Sequence, residues 1–360
     1  MRDDFRLPAM GSRGHDPIQA LAAATPCAMT AYTNADPATY PPLAEPLQIR
    51  QVPDAPIWYS IGHPAVPDHA NEGNTSNAGF VITPVGVLVF DALGTPSLGL
   101  ALLRAIRQRS NAPVRYVVLS HYHADHIYGL QAFRDFTGSV IFAQEKSADY
   151  LSANNVEDES AGPRLAQRRA ALAPWVNART RIVQPDIYFA EKITIALGER
   201  RFVVRYAGPA HSQSDSMMLV VPDGVLFAGD IVQNGRIPFI SSATVSTTHW
   251  LGQLAAVMKM KPRFIIPGHG QPSTDPQAAI TFTRGYLQYL RQAMGKAVAQ
   301  WQDFDTAYAS TDWSRYSGLP AFDAINRGNV YRVFLEMEAE TFAPSTRSGA
   351  SPGAGEGAAR

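Results

Sequence analysis

The chain has 360 residues, 46% hydrophobic and 17% charged, the composition of a globular protein with a sizeable core in one large domain or two ordinary ones. Its 31 Lys and Arg balance 31 Asp and Glu, which removes any overall charge that would draw it to nucleic acid or to an anionic membrane. No apolar run approaches the roughly 18 residues of a membrane span, and the single cysteine, Cys27, excludes an intrachain disulfide and a thiolate-rich metal site.

Residues 1–52 are rich in Pro and Ala with little periodicity and read as a loosely ordered N-terminal extension. Within them Arg13 precedes Ile18-Gln19-Ala20-Leu21-Ala22-Ala23-Ala24, a faint echo of a secretory leader. That run is short, and Asp3, Asp4 and Asp16 oppose the positive charge a leader carries. Cytoplasmic placement follows, with periplasmic export as the alternative. From Ile57 the texture changes. Residues 78–83, the turn Pro84-Val85-Gly86 and residues 87–91 predict strand, turn, strand. Leu98, Leu102 and Ile106 give 97–109 a helical spacing. A strand over 114–120, a helical pattern over 126–136 and a strand over 139–143 follow.

Residues 147–178, rich in Ala, Arg and Glu, predict helices that interrupt the sheet pattern and lie over a cleft. Strands are predicted over 193–197 and 202–206. Residues 217–221, Pro222-Asp223-Gly224 and 225–228 predict a hairpin with an Asp-Gly turn, its Met217-Met218 pair in the core. A helix over 248–259, capped from 246–248, precedes a last strand over 264–266. Residues 276–341 are mainly helical in pattern, with aromatics at Phe282, Tyr286, Tyr289, Trp301, Phe304, Trp313 and Tyr316; they either cover the core or form the interface of a homo-oligomer. From Ala343 the Gly, Ser, Pro and Ala composition predicts a disordered tail.

The chemistry is concentrated in His121-Tyr122-His123-Ala124-Asp125-His126, at the end of a buried-strand pattern. Three imidazoles and a carboxylate this close together point to a metal site, with ligands suited to Zn, Fe or Mn. Three further residues stand just past apolar runs: His211 in Ala210-His211-Ser212, Asp230 in Ala228-Gly229-Asp230, and His269 in Gly268-His269-Gly270. Loops at one end of a sheet are where a scaffold brings distant side chains together, and the glycines permit tight turns and close approach. Seven ligands exceed the needs of one tetrahedral ion. With a carboxylate bridge they suit two ions.

The order His121-x-His123-x-Asp125-His126, His211, Asp230, His269 resembles the metallo-β-lactamase superfamily. Asn77-Ala78-Gly79-Phe80, Val89-Phe90-Asp91, Phe227-Ala228-Gly229-Asp230 and Pro267-Gly268-His269-Gly270 are similar in texture, so the resemblance runs from about Ile57 to Pro272. It implies an α/β fold, a four-layer αββα sandwich, over 53–275 as the catalytic domain, a helical C-terminal extension over 276–342 packed on it, and a tail over 343–360. By that resemblance His121, His123 and His211 would hold one divalent ion, Asp125, His126 and His269 a second, and Asp230 would bridge them. Asp125 would also orient the hydroxide nucleophile. Zn is the expected metal, with Fe or Mn as alternatives. An Asp at the bridging place disfavours a dedicated β-lactamase and favours the glyoxalase II-like group, in particular its SoxH-like subset of quinoprotein relay systems. No counterpart of the glutathione-binding basic residues is legible in the C-terminal segment.

The implied function is hydrolysis of an ester-like bond, a thioester, lactone or related bond, in a small molecule. Two alternatives stand beside it. A mononuclear-iron persulfide dioxygenase would use His121, His211 and Asp230 as a two-His-one-carboxylate face; a non-catalytic member would bind a metal, metabolite or partner. No Gly-x-Ser-x-Gly elbow supports a serine hydrolase. Tyr122 and Tyr128 flank the ligands as substrate walls or as packing beneath the loop. Arg236 and Phe239 are candidates to meet a substrate carboxylate and an apolar group; a surface ion pair and a core aromatic compete with that reading. His249 reads as structural at a helix start, and His15, His63 and His69 fall outside the pattern.

Overall fold

Alternating and continuous apolar strands assemble here into two sheets. The structure, a computed structural model, describes residues 32, 34–152, 160–240 and 245–342. The leader-like run, His15, Cys27, part of the 147–178 segment and the tail from Ala343 lie outside the described residues. The first sheet has seven strands in the order β1 (Ile49–Gln51), β2 (Ile57–Ser60), β3 (Gly79–Thr83), β4 (Gly86–Phe90), β5 (Val114–Val118), β6 (Val140–Gln144) and β7 (Ile187–Phe189). It is antiparallel up to β4 and parallel beyond. The second sheet comprises β8 (Lys192–Leu197), β9 (Arg200–Tyr206), β10 (Ser216–Val221), β11 (Val225–Asn234) and β12 (Phe264–Gly270), ordered β12-β11-β10-β9-β8. Only the β11–β12 pair is parallel there.

Three buried apolar clusters separate four layers. Val81, Leu88, Phe90, Val118 and Phe142 of the first sheet meet Phe202, Val204, Met218, Val220 and Phe227 of the second. Outside the first sheet, α1 (Pro96–Arg107) and α3 (Leu130–Phe136) bury Leu98, Leu102, Ile106 and Phe133. The α1 start is fixed by Thr95, whose side chain accepts from the Leu98 N–H, with Pro96 as first helical residue. Outside the second sheet, α6 (Thr247–Met260), α7 (Pro276–Ala299) and α9 (Phe322–Phe342) bury Trp250, Leu254, Leu287, Leu290, Val330 and Phe334. Helix, sheet, sheet, helix is the four-layer sandwich expected. The aromatic C-terminal segment lines its core: Tyr286 is buried and joins Asn326 and Asn329 by hydrogen bonds of 2.9 Å. Met217 and Met218 fall in different clusters because successive strand residues face opposite ways. Among the described residues, no helix is long and apolar enough to cross a membrane.

Several boundaries depart from expectation. The helical pattern over 126–136 is two helices, α2 (Ala124–Ile127) and α3, broken at Gly129, where a Cβ would come within 1.8 Å of the Ala92 carbonyl. The 147–178 segment supplies α4 (Ser147–Leu151) and α5 (Ala161–Ala171), and the C-terminal segment adds α8 (Phe304–Ser310). Residues 34–52, read as part of a loose extension, lie against the body. Tyr40 is 7% exposed, packs on Phe136 and donates to Asp135, and the Trp175 indole donates to the Pro42 carbonyl. Strands β11 and β12 run several residues past their predicted ends.

Candidate metal centre

The seven predicted ligands come from four stretches of chain and meet in one cluster. His121 and His123 leave the end of β5, and α2 then turns Asp125 and His126 back toward them. His211 stands in the turn between β9 and β10. Asp230 and His269 were expected just past strand ends, but both lie within β11 and β12. The strands continue because they kink: the β11–β12 register shifts on both sides of Gly229, which takes φ +51°. Gly268 has a different task. A Cβ there would meet Asp230 Oδ1 at 1.9 Å, so only glycine lets the two ligand strands close.

Three groups of candidate ligand atoms form, each within 4.8 Å: His121 with His123 and His211, His121 with His126 and Asp230, and Asp125 with His126 and His269. His123 Nδ1 lies 2.9 Å from His121 Nε2 and 2.8 Å from His211 Nε2. Asp230 occupies the middle. Its Oδ1 is 3.3 Å from His126 Nε2, and its Oδ2 is 3.2 Å from His211 Nε2 and 3.3 Å from His269 Nε2. Asp125 Oδ2 is 3.3 Å from His269 Nε2.

Four imidazoles are held by the nitrogen that faces away from this cluster. His211 Nδ1 donates to the Phe239 carbonyl at 2.8 Å, and His269 Nδ1 to the Thr75 carbonyl at 2.7 Å. His126 Nδ1 meets Asp91 Oδ2 at 2.8 Å. His121 Nδ1 meets Ser120 Oγ at 2.9 Å, and that hydroxyl donates to Asp91 Oδ2 at 2.7 Å. These bonds place the N–H on Nδ1 and leave Nε2 as a lone pair aimed inward, the tautomer a metal ligand needs. Asp91 therefore orients two ligands at once, one directly and one through Ser120. Asn77 clamps the His269 turn: its side chain donates to the Pro267 and Gly270 carbonyls at 2.8 and 2.9 Å. Asp215 ties down the His211 turn by accepting from the Ser212 N–H and hydroxyl at 2.7 and 2.8 Å, and burial raises its carboxyl above the usual value.

The charges of the clustered side chains act strongly on one another. Burial alone would raise Asp230, but the imidazoles of His269, His211 and His126 hold its carboxyl well below the usual range. Asp125 is held down in the same way, chiefly by His126 against the effect of burial. Burial alone would lower His126, yet the carboxylates of Asp230, Asp91 and Asp125 lift it well above the ordinary histidine value. His121 and His123 are pushed well down by burial and by neighbouring imidazoles. His126 Nε2 and Asp230 Oδ1 are buried with no hydrogen-bond partner among the described residues. His123 offers one N–H at most to two inward lone pairs below 3 Å. Orphaned lone pairs around one point, on imidazole and carboxylate, fit divalent cations.

The other candidates separate. Arg236 was weighed against a surface ion pair, yet it is only 4% exposed, and Nη1 donates to Gln233 Oε1 at 3.4 Å while Gln233 donates to Asp230 at 3.3 Å. Phe239 was weighed against a core aromatic, yet it is 37% exposed, with its ring 6.4 Å from that of His211. Tyr128 is 2% exposed within the apolar cluster under α2, so it packs beneath the loop. Tyr122 is half-buried, stacks on Tyr150 at 4.1 Å and meets His123 edge-on at 5.2 Å. His249 opens α6, its ring within 3.0 Å of Gln253 Nε2, and His69 packs on Trp175. Asp91, Ser120, Asn77 and Asp215 were not singled out from sequence as supports. Asp91 and Asn77 left a trace there only as members of the stretches on which the resemblance rests.

Residues 72–269 match the metallo-beta-lactamase superfamily. A linear primary-alkylsulfatase from Pseudomonas sp. (strain ATCC 19151) is 23% identical over 239 residues, covering 58% of this chain and 44% of the alkylsulfatase. The chain therefore spans under half the length of that relative. Among solved structures, a stereoselective inverting sec-alkylsulfatase from Pseudomonas sp. superposes with TM-score 0.62 at 15% identity, over 81% of this chain and 50% of that one. A metallo-beta-lactamase from Pontibacter korlensis superposes with TM-score 0.51 at 20% identity, over 67% of this chain and 99% of that one.

Proposed function

This chain belongs to the metallo-beta-lactamase superfamily, and we propose that it is a hydrolase that holds two divalent cations, Zn before Fe or Mn, and cleaves an ester-like bond of a small molecule. The observation that carries this reading is the convergence of seven candidate ligand side chains, four of them imidazoles whose outward nitrogens are already committed to protein acceptors. His121, His123 and His211 would hold one ion, Asp125, His126 and His269 the other, and Asp230 would touch both. Bound there, such ions supply Lewis acidity and a water acidified toward neutral pH. The chain's own part is to keep the ligand atoms fixed. Asp91 and Ser120 hold His121 and His126 in register, and Asn77 holds the His269 turn, so the cluster does not reorganise when charge develops. Asp125, the more open of the two carboxylates, would also orient the attacking water.

Within the superfamily we place the chain with the glyoxalase II-like hydrolases, including the SoxH-like subset, on the carboxylate at position 230. Thioesters and lactones suit such a site, because their leaving groups need little protonation. Sulfate esters join them, since an alkylsulfatase is among the relatives. A single-iron dioxygenase would leave Asp125, His126 and His269 idle, although two of those imidazoles are oriented with the same care as the rest. Elemental analysis of protein purified without added metal or chelator is the test. About two Zn per chain, with anaerobic hydrolysis in a thioester, lactone and sulfate-ester panel, is the expected result. About one Fe per chain with oxygen uptake on persulfides would replace this reading, and a chain that stays empty after incubation with Zn, Fe and Mn would end it.

A further inference from the structure

The carbonyl of Phe239 is the acceptor that holds the His211 imidazole, 2.8 Å from Nδ1. Phe239 itself is exposed, between buried Pro238 and Ile240. These three residues follow β11 and belong to no strand or helix, so no ladder of backbone bonds holds them. Helix α9 holds them instead. Asn329 accepts from the Ile240 N–H at 2.8 Å and donates to the Pro238 carbonyl at 2.6 Å. The same Nδ2 also donates to the Tyr286 hydroxyl of α7 at 2.9 Å, which donates to Asn326 at 2.9 Å. Asn326 in turn donates to the Tyr308 hydroxyl of α8 at 3.3 Å. Asn329 is 1% exposed, and Tyr286 and Asn326 are fully buried. A buried amide is costly unless its donors and its acceptor are met. Here all are met, and a fully satisfied buried network holds one geometry. An apolar side chain at 329 would fill the same space but leave the Pro238 carbonyl and the Ile240 N–H without partners. The grip is local. About two turns further along the same face of α9, Glu336 accepts from the Thr247 N–H at 2.9 Å, at the start of α6 and away from Phe239 in the chain.

We infer that Asn329 is a positioning residue of the ligand cluster. By gripping the backbone on both sides of Phe239, the C-terminal helix fixes the carbonyl that keeps the His211 proton on Nδ1 and turns Nε2 inward. This rests on the metal reading of the cluster and extends it beyond residues 72–269, which match the superfamily. The C-terminal segment is then a working part of the site as well as a cover for the core.

The test observes the imidazole itself. In the isotope-labelled, metal-free full chain, a long-range proton–nitrogen correlation spectrum reports which ring nitrogen carries the proton. The His211 signals are assigned by their loss in His211→Gln. The wild type should carry the proton on Nδ1. Asn329→Ala, which releases both sides of Phe239, should mix the two tautomers. Its Zn affinity, in competition with a chromophoric chelator, should fall by about tenfold, the lower end of what losing a ligand's partner costs. Asn329→Ser, whose hydroxyl reaches one side of the loop but not both, should fall between, and it decides the matter if Asn329→Ala does not melt cooperatively. Glu336→Gln perturbs the same helix face at the α6 end and should leave both the ring and the affinity as in the wild type. The proposal is overturned if the folded Asn329 variants keep the wild-type ring spectrum, or if Glu336→Gln alters it as much as they do. Because the ring is observed without metal, the two readings fail separately. A chain that takes up no metal but whose His211 ring answers to Asn329 ends the hydrolase and keeps the positioning role; a two-zinc hydrolase whose ring ignores Asn329 does the reverse.

Discussion

The backing of the ligand cluster and the other buried polar groups of the molecule are built on opposite terms. Behind the ligands, the outward nitrogens of His121, His126, His211 and His269 all have partners, and Asp91 serves two of them. Elsewhere, the Nε atoms of Arg236 and Arg168 and the hydroxyl of Tyr128 are buried without partners among the described residues. A folded chain leaves few buried polar groups unsatisfied. Complete satisfaction behind the ligands marks a cage set before anything binds. Unspent donors elsewhere mark places for something that comes and goes, or groups left over from packing. The difference between those two is open to experiment.

The largest effect should come from the centre. Asp230→Asn keeps the shape and removes the charge that touches three imidazoles. Activity should fall by about three orders of magnitude, the loss of roughly 4 kcal/mol of transition-state stabilisation, with at least one ion missing by elemental analysis. Retained activity with both ions bound would remove Asp230 from its bridging place. Next comes Asp91→Asn, which touches no ion in the proposed arrangement. Because Asp91 orients both His121 and His126, metal affinity should drop by about 10- to 100-fold in a competition titration with a chromophoric chelator. An unchanged affinity would break the contrast drawn above, since the cage would then not depend on its backing.

The cage was more legible in the sequence than its backing. His121 to His126 announce themselves because four ligand side chains share six positions. His211, Asp230 and His269 are single residues, readable only by their order and by the glycines around them. Their placement inside kinked strands was not legible, because the unbroken apolar runs stop at Ala228 and Ile266 while hydrogen bonding continues to Asn234 and Gly270. The four layers followed from strand and helix patterns, since burial sets those patterns directly. The supporting roles of Asp91, Asn77 and Ser120 stayed hidden because a residue type says nothing of a partner 29 or 190 positions away. Arg236 was named, but its burial could not be read, as arginine is an exposed residue in most settings.

The smallest effect separates Tyr128 from Arg236. Both bury an unpartnered polar atom near Asp125, and both were candidates for contact with substrate. Burying an unpaired neutral hydroxyl costs about 1–3 kcal/mol, a cost a packed fold tolerates where the ring fills a core position. An unpaired guanidinium costs more. Tyr128→Phe deletes only the hydroxyl and leaves the ring among Leu130, Phe133 and their neighbours in the same cluster. The melting temperature should stay the same or rise by up to about 3 °C, because the atom removed makes no hydrogen bond in the fold. KM and kcat should stay within about twofold. A tenfold rise in KM would instead show that the hydroxyl meets substrate.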